Sequence, residues 1–495
     1  MTKGNLEIYD TMTRAKRPFK PLRHGKVRMY ACGPTVYGDP HIGNFRSFIV
    51  TDLVRRWLEY RGLDVTLVMN MTDIDDKTIR DSARVGEPIK DFTQKYTQSF
   101  LRGLDLLNIR RAAVYPRATE FIDQMRDFIQ VLVDKGLAYI AEDGVYFDID
   151  KFPDYGRLSG VDLAAVQTTE RMSKDEYDKE AVQDFALWKK STVEEAKRSL
   201  TEQGIAWDAS FTVNGEKIEM RGRPGWHIEC SVMTRSLLGD TLDIHAGGED
   251  LVFPHHENEI AQSESLTGKQ FVRYWLHIRH LMINGRKMSK SKGNYISFDE
   301  VLVKYNPDVF RYFYLGTQYR RPLDYTDDAM KNAENSVKRL ENTLELIDQA
   351  MKSLDLTLDL GTREKKLLKE ADKHLREFEN AMNDDFDSHT ALDAIHAMSG
   401  SINDYLIDEV NKGVLLKAKN TYNKMLNSLG LFEKREQGPD KHADNLIGLL
   451  VDIRNQYRKE KNYQQADEIR NRLICLGITL ADTAEGTTWK IDTKD

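Results

Sequence analysis

The chain has 495 residues, which is too long for one hydrophobic core, because a typical domain has roughly 100 to 200 residues. Hydrophobic residues make up 40% of the chain, and no segment approaches the roughly 20 consecutive apolar residues that a membrane-spanning helix needs. The net charge of −7 excludes binding of nucleic acid by bulk positive charge, although RNA recognition by local basic surface stays open. Because the N-terminus leads into charged residues, we expect no export peptide and a cytoplasmic protein without a membrane segment.

The first predicted elements are a strand, a helix and a second strand within residues 22 to 80. Alternating apolar residues predict the first strand, apolar residues every three or four positions predict the helix, and Val65–Met69 is the second strand. This is the βαβ unit of a doubly wound parallel sheet, in which ligands bind at the carboxyl ends of the strands. We therefore expect Cys32, His41 and Thr72, which follow predicted strand ends, to lie near one site.

The rest of the chain divides by its patterns. Mixed helices and hairpin-like pieces interrupt the nucleotide-binding fold, helical periodicity follows Pro322, and a polar linker precedes the last segment. The predicted fold class is α/β, with a Rossmann-like parallel-sheet domain, an insertion, an α-helical bundle and a small C-terminal mixed module. The predicted boundaries are 1–115 and 226–322 for the two halves of the Rossmann-like domain, 116–225 for the insertion, 323–435 for the bundle and 441–495 for the module.

Two short motifs describe a site that handles phosphates. The segment Lys287–Ser291 carries two lysines between flanking glycines, so it can bend over an anion. The segment His41–Asn44 begins the predicted helix, where free backbone N–H groups and the helix dipole favour anions. Each motif alone is weak evidence, because a lysine-serine run is usually a solvated loop and a histidine before a glycine is usually only a cap.

In this order, the two motifs resemble the His-Ile-Gly-His and Lys-Met-Ser-Lys-Ser signatures of class I aminoacyl-tRNA synthetases. The pentapeptide matches in full, whereas Asn44 replaces the last histidine of the tetrapeptide, so a neutral amide stands where the family has an imidazole. The resemblance implies catalytic roles for His41, Asn44, Lys287 and Lys290, with Lys290 contributing most. It also implies that ATP, arriving with Mg²⁺, contacts a further set of residues: Gly43, Met288, Ser289, Ser291, Gly247, Gly248 and Asp250.

A second constellation has the chemistry of a metal site. His255 and Glu259 are four residues apart on a helix predicted to start at Pro254, so their side chains share one face. With Cys32 and Cys230 they form a set of two sulfurs, one imidazole and one carboxylate, which suits tetrahedral zinc. Spacing alone does not establish the site, because a histidine four residues from a glutamate is more often an exposed helix pair.

The segments around these four residues resemble signatures of the cysteinyl-tRNA synthetases: Tyr30–Tyr37, Gly225–Cys230 and Phe253–Glu259. The similarity covers nearly the whole chain, except that residues 193–217 look longer than the family usually has. The resemblance implies one zinc ion per chain, with these ligands: Cys32, Cys230, His255 and Glu259. It also implies that the substrate thiolate binds this zinc, which serine cannot imitate because a hydroxyl is a poor soft ligand.

The resemblance further implies roles around the substrate. Thr72 and Trp226 would close the amino-acid pocket, and Asp250 would take the substrate ammonium or the ATP ribose. Trp489 would stack on a base near the anticodon. Alternatives stay open, since Trp226 fits a core aromatic, Asp250 a helix cap and Trp489 a packing residue. The nearby histidines are interpreted as structural or as supporting the ligands: His227, His245 and His256.

The predicted function is that of a cysteinyl-tRNA synthetase acting as a monomer with cysteine, ATP and tRNA(Cys). Cysteine would be activated to cysteinyl-adenylate with release of pyrophosphate, and then transferred to the terminal adenosine of the tRNA. Three alternatives remain: a ligase joining cysteine to an amino sugar, a zinc hydrolase and an inactive RNA-binding homologue. The first does not need the residues after Pro322, the second leaves the lysine segment unexplained, and the intact Lys287–Ser291 disfavours the third.

Overall fold

The computed structural model divides into two units, residues 1–433 and 434–495. The residues that it describes are 4–161, 184–288, 295–353, 361–433, 450–451, 453–460, 462–475, 478–483 and 486–491. Among these residues, none of the helices combines the length and the apolar character that crossing a bilayer requires.

The strands are numbered along the chain: β1 (Glu7–Asp10), β2 (Ala15–Pro18), β3 (Lys26–Ala31), β4 (Asp64–Met69), β5 (Ala138–Ala141), β6 (Gly144–Phe147), β7 (Phe185–Lys190), β8 (Trp207–Val213), β9 (Glu216–Pro224), β10 (Leu242–Gly248), β11 (Val272–Ile278), β12 (Leu281–Ile283), β13 (Arg286–Lys287), β14 (Leu323–Tyr325), β15 (Ile478–Thr483) and β16 (Gly486–Ile491). The helices are α1 (Ile42–Tyr60), α2 (Asp76–Val85), α3 (Ile89–Leu106), α4 (Ile122–Asp134), α5 (Val193–Arg198), α6 (Trp226–Leu238), α7 (Glu257–Thr267), α8 (Phe298–Lys304), α9 (Pro307–Leu315), α10 (Asp327–Ser353), α11 (Thr362–Asn383), α12 (Ser388–Tyr405), α13 (Lys412–Ser428) and α14 (Tyr463–Cys475).

A four-stranded parallel sheet in the order β11-β10-β3-β4 forms the centre of the larger unit. The chain continues from β3 through α1 to β4 on one side, whereas β10 and β11 lie on the other side of β3. The strand order therefore reverses between β3 and β10, which is the position where ligands bind in doubly wound sheets. Cys32 follows β3 at this position.

Helix α1 covers one face of the central sheet because its apolar residues recur every three or four positions. Phe45, Ile49, Leu53 and Trp57 are all buried in the core that α1 shares with the sheet. Glycine is needed at residue 103 of α3, since a β-carbon there would come within 2.3 Å of the Phe45 ring. The predicted strand, helix and second strand are thus present.

The insertion forms its own five-stranded antiparallel sheet in the order β5-β6-β7-β9-β8. Helix α4 packs on this sheet through a separate apolar core that includes Phe128, Trp188 and Phe211. Strands β8 and β9 are joined at Asn214 and Gly215, both with positive φ (53° and 83°), as a tight hairpin turn requires. The long segment 193–217 is therefore an ordered helix and hairpin strand.

The helices α10 to α13 pack together into a bundle, as predicted. Asp387 accepts a hydrogen bond from the Thr390 backbone N–H at 3.3 Å and so caps the start of α12. Strand β14 pairs with β12 in parallel, so a strand of the three-stranded sheet β13-β12-β14 lies beyond the predicted boundary at residue 322. The reason is tertiary pairing, which the helical periodicity further along does not reveal.

A buried carboxylate joins α1 to the bundle. Asp52 accepts hydrogen bonds from Arg56 Nε at 2.7 Å, from the Arg110 backbone N–H at 3.0 Å and from Arg311 of α9. Arg311 also donates to the carbonyl oxygen of Leu429 at 2.6 Å. Burial raises the pKa of Asp52, but Arg311 and Arg56 outweigh it and hold this pKa below its usual range. The ion pairs therefore keep the carboxylate charged inside the core.

The smaller unit contains α14 and a hairpin of β15 and β16, with Val451, Leu473 and Leu480 in its core. Trp489 lies in β16 opposite Leu480, and its side chain is outside the described part of the structure. The predicted linker 434–440 also lies outside the described residues.

Candidate active site

The four candidate metal ligands come together from distant parts of the chain. The ligand atoms of Cys32, Cys230, His255 and Glu259 all lie within 4.8 Å of one another. The two sulfurs are 3.9 Å apart, and Glu259 Oε1 is 3.7 Å from Cys32 Sγ and 3.0 Å from His255 Nε2. Cys32 follows β3, Cys230 is on α6, and Glu259 is on α7, so both halves of the central fold contribute.

The helix that carries two of these ligands begins where the sequence predicts it. Phe253 is extended, whereas the backbone from Pro254 to His256 is helical and leads into α7 at Glu257. Proline thus stands at the first helical position. His255 and Glu259 are therefore one turn apart on one face, with His255 Nε2 3.0 Å from Glu259 Oε1.

The electrostatics of the cluster separate its two thiols. Burial and the neighbouring Cys230 raise the pKa of Cys32 well above its usual value. Burial also raises the pKa of Cys230, but hydrogen bonding with Cys32 and the nearby His255 outweigh it and bring this pKa to about 6. Burial lowers the pKa of His255, whereas Glu259 raises it, to about 10. The pair of thiols beside His255 thus favours a thiolate.

Glu259 uses its two oxygens differently. Oε2 is 2.9 Å from His245 Nε2, which leaves Oε1 facing His255 and Cys32. Burial raises the pKa of Glu259, but His245 and His255 outweigh it and lower this pKa to about 2. A histidine that holds the outer oxygen of a ligating carboxylate is the usual way to orient such a ligand.

A second donor set overlaps the first. The ligand atoms of Cys32, His245, His256 and Glu259 also lie within 4.8 Å of one another, with His256 Nε2 3.3 Å from Cys32 Sγ. The other ring nitrogen of His256 is 2.7 Å from His277. The set with both thiols fits a soft divalent metal better, because two thiolates supply the charge and softness that imidazoles lack.

The predicted amino-acid pocket lies beside the cluster. The Trp226 ring stacks on the His255 ring, with centroids 4.1 Å apart and planes inclined by 23°. Thr72 is buried and donates a hydrogen bond from its hydroxyl to Glu229 Oε2 at 2.9 Å. Both predicted pocket residues therefore lie next to residues of the cluster, Trp226 against His255 and Thr72 against the neighbour of Cys230.

The phosphate motif His41–Asn44 forms the start of α1. The Asn44 side chain accepts a hydrogen bond from the His41 backbone N–H at 3.0 Å. Asn44 therefore acts as the third residue of a capping box, which an amide oxygen can do at neutral pH. This is the structural role of the residue that departs from the class I signature.

Met288 of the lysine segment and Tyr295 beyond it lie against this helix start. A β-carbon at Gly43 would come within 2.7 Å of Met288 Cε, so Met288 lies directly over the glycine. Tyr295, on the far side of the segment, sets its ring edge against the His41 ring at 5.5 Å and donates to the Asp39 carbonyl oxygen at 3.1 Å. The two signatures, remote in sequence, meet here.

Some predicted site residues lie outside the described part of the structure. Lys287 belongs to β13 and pairs with Met282 of β12, but its side chain is outside the described part. The predicted residues Ser289, Lys290 and Ser291 lie wholly outside it.

The two glycines that end β10 are packed closely. A β-carbon at Gly247 would come within 2.7 Å of His256 Cε1, and one at Gly248 within 2.5 Å of Asp250 Oδ1. The Asp250 side chain is 47% exposed and lies 4.0 Å from His280 Nδ1. Asp250 thus lies at the rim of the site, not in its buried part.

Comparison with known proteins agrees with this geometry. Residues 18–335 match the model of the tRNA synthetases class I (C) catalytic domain, and residues 377–433 match the DALR domain. The cysteine–tRNA ligase of Thermococcus onnurineus is 45% identical over 98% of this chain and 99% of its own length. The chain belongs to the cysteine–tRNA ligase family. The cysteine–tRNA ligase of Methanosarcina mazei is likewise 45% identical, over 97% of this chain and 98% of its own length.

Solved structures show the shared fold of the cysteine–tRNA ligases and other class I synthetases. Mycobacterium tuberculosis methionyl-tRNA synthetase with methionyl-adenylate has a TM-score of 0.57 at 16% identity, covering 82% of this chain and 89% of that one. The LeuRS–tRNA–LeuAMS complex of Agrobacterium radiobacter K84 has a TM-score of 0.59 at 12% identity, covering 83% and 85%. The predicted family and the predicted α/β fold class are confirmed.

In this cysteine–tRNA ligase family member, the sequence patterns did not single out every residue that lines the site. Glu229 and Asn70 are buried and bond to Thr72, and His277 bonds to His256. A charged residue inside a largely apolar helix start is the one signal that could have pointed to Glu229. His277 gave no signal, because a lone histidine in a strand is usually a core residue.

Proposed function

We propose that the chain activates cysteine with ATP and transfers it to tRNA(Cys), as its relatives' names state for them. The observation that carries this proposal is the two-thiol donor set, with all its ligand atoms within 4.8 Å, at the strand ends that also lead into the phosphate-binding helix start. A class I catalytic domain indicates activation of an amino acid with ATP. The donor set with two thiols, beside the start of α1, favours cysteine among the amino acids.

We propose one zinc ion per chain, held by Cys32, Cys230, His255 and Glu259. The donor set fits zinc, since it offers two sulfurs, one imidazole and one carboxylate oxygen around one point. Bound there, zinc would supply a soft Lewis acid that takes a thiolate as a further ligand and discriminates against a hydroxyl. An apolar pocket distinguishes one small group by only about 1 to 3 kcal/mol, so selection by a thiol-binding metal removes the need for editing.

The remaining work falls to residues that align ATP and stabilise charge. The N-terminus of α1 with His41 would bind the phosphates, and Gly43 allows close approach of the chain. Lys287 and Lys290, together with Mg²⁺ that accompanies ATP, would stabilise the charge that builds on the leaving pyrophosphate. Asn44 would contribute through its hydrogen bond to the His41 backbone, which fixes the helix start.

Contacts to ATP are further assigned to residues at the rim. Met288 lies over Gly43 at the start of α1, and Gly247 and Gly248 end β10 beside Asp250, which supports their proposed nucleotide contacts. Ser289 and Ser291 remain predictions from the signature.

The bundle and the C-terminal module would bind the tRNA. The DALR match within the bundle supports this use, because a ligase that modifies a small acceptor does not need it. The predicted domain boundaries, the anticodon contact of Trp489, the monomeric state and the cytoplasmic location stay predictions.

Cysteine-dependent exchange of pyrophosphate into ATP tests the activation step. We expect exchange with cysteine and at least 100-fold less with serine, which keeps the shape but lacks the thiol. Equal exchange with both amino acids contradicts the proposal. A tRNA(Cys) transcript and an amino sugar, offered in parallel as acceptors, then separate the two ligase functions.

A further inference from the structure

A chain of buried hydrogen bonds runs from Gly33 through Asn70 and Thr72 to Glu229. The side chains of Asn70, Thr72 and Glu229 are each at most 1% exposed. The two ends of this chain are next in sequence to the two candidate thiol ligands. The hydrogen bonds therefore tie the amino-acid pocket to both sides of the cluster.

The directions of these hydrogen bonds are fixed by which groups can donate. The Gly33 backbone N–H can only donate, and it points at Asn70 Oδ1 at 2.8 Å. The Asn70 amide therefore turns its Nδ2 towards Thr72 Oγ1, at 3.2 Å, where it donates. Because the Thr72 hydroxyl accepts there, its single proton goes to Glu229 Oε2 at 2.9 Å.

The backbone holds Thr72 in place as well. The Thr72 N–H donates to the Pro34 carbonyl oxygen at 3.1 Å, and the Thr72 carbonyl accepts from the Val36 N–H at 3.1 Å. A β-carbon at Gly33 would come within 1.7 Å of the Asn70 carbonyl oxygen, so the two segments touch. Neither the backbone nor the hydroxyl of Thr72 has freedom to reorient.

A hydroxyl whose proton and first lone pair are committed can only accept from a ligand. Of the polar groups of a cysteine substrate, the thiolate and the carboxylate have no proton to donate, whereas the ammonium has three. Glu229 Oε1 is buried and has no hydrogen-bond partner among the described residues, so one oxygen of the same carboxyl group is left for a ligand. The pocket therefore matches a cation beside Thr72.

Resting on the proposed function, we propose that Glu229 is a positioning residue for the substrate ammonium. By taking the proton of Thr72, it makes the hydroxyl an acceptor that faces the α-ammonium of cysteine. The half-exposed Asp250, beside Gly248 at the rim, is then left to the ATP ribose. The two roles that the sequence left open for Asp250 are thus divided between two carboxylates.

The test measures the binding of two compounds, cysteine and 3-mercaptopropionate, to the variants Glu229→Leu and Glu229→Gln. The Michaelis constant for cysteine is measured by pyrophosphate exchange, and the inhibition constant for 3-mercaptopropionate, which lacks the ammonium, is measured in the same assay. Glu229→Leu is expected to raise the cysteine constant roughly 10- to 100-fold while changing the mercaptopropionate constant less than about 3-fold. Glu229→Gln, whose amide oxygen accepts the same proton, is expected to restore most of the affinity.

Equal losses for cysteine and 3-mercaptopropionate would overturn the proposal, because Glu229 would then act on the metal or the fold. Asp243→Asn is the matched control, since Asp243 is also 1% exposed and accepts from the Arg28 N–H at 2.8 Å. It is expected to lower the melting temperature without changing the cysteine constant. If Glu229→Leu does not fold, Thr72→Val gives the same comparison.

Failure of the proposed function is distinguishable from failure of this inference. Absence of cysteine-dependent exchange in the unsubstituted protein contradicts the function itself. Exchange that is normal in the unsubstituted protein and unchanged in both Glu229 variants contradicts only the role of Glu229.

Discussion

The terminal carbon of Met288 lies so close to Gly43 that a β-carbon at residue 43 would come within 2.7 Å of it. This contact joins the start of the lysine segment to the second residue of α1. The helical backbone does not require glycine at residue 43, because other residues form helices more readily. The contact with Met288 is what requires it.

Gly43→Ala is expected to slow pyrophosphate exchange about 10-fold with little change in melting temperature. The physical reason is that Met288 Cε is the end of a flexible side chain, so the clash moves the lysine segment and leaves the core intact. The double variant with Met288→Ala removes the clash, so its rate should equal that of Met288→Ala alone. Additive losses in the double variant contradict this explanation.

Cys230→Ser is expected to lose stoichiometric zinc, because it removes one of the two sulfur donors of the set. Metal content by mass spectrometry after gel filtration checks this. His245→Gln is the matched comparison, since in the two-thiol set His245 holds the outer oxygen of Glu259 and is not itself a ligand, and it is expected to weaken zinc binding about 10- to 100-fold. If His245→Gln or His256→Gln loses the metal and Cys230→Ser keeps it, the overlapping donor set is the real one.

Buried His277 is expected to make the free energy of unfolding depend on pH. Burial lowers its pKa to about 3, whereas an unfolded histidine titrates near the ordinary value of 6.5. Below pH 6.5 the unfolded chain takes up a proton that folded His277 does not, so the free energy of unfolding falls as the pH falls. His277→Gln is expected to remove about 2 kcal/mol of the loss between pH 6.5 and pH 5.

Urea unfolding at pH 7.5, 6.5 and 5 measures this difference. The glutamine keeps groups that can bond to His256 and to Thr11, the two partners of His277 at 2.7 Å. An unchanged pH slope in His277→Gln would show that the other buried histidines carry the whole effect.

Asp52→Ala is expected to lower the free energy of unfolding by about 3 to 5 kcal/mol, because it leaves Arg56 and Arg311 buried without their carboxylate. Denaturant unfolding followed by circular dichroism measures the change. Glu334→Ala is the control, since its 3.0 Å pair with Lys338 is exposed and is worth less than about 1 kcal/mol. A loss in Asp52→Ala no larger than in the control means that the buried cluster does not stabilise the fold.

The local patterns predicted the first strand–helix–strand unit correctly. Apolar spacing located α1, because a helix that packs on a sheet needs residues such as Phe45 and Trp57 on one side. The same reasoning could not locate β14, since its pairing with β12 depends on a distant chain segment.

By itself, the sequence determined the reaction class and the kinds of ligand atoms, because signature residues such as Cys32 and Lys287 carry their chemistry at any position in space. It could not determine which groups face each other. The parallel sheet decided that, since it brings the ends of β3, β4 and β10 to one edge. The tertiary structure alone forms the hydrogen bond from Thr72 to Glu229 and the contact between Met288 and Gly43.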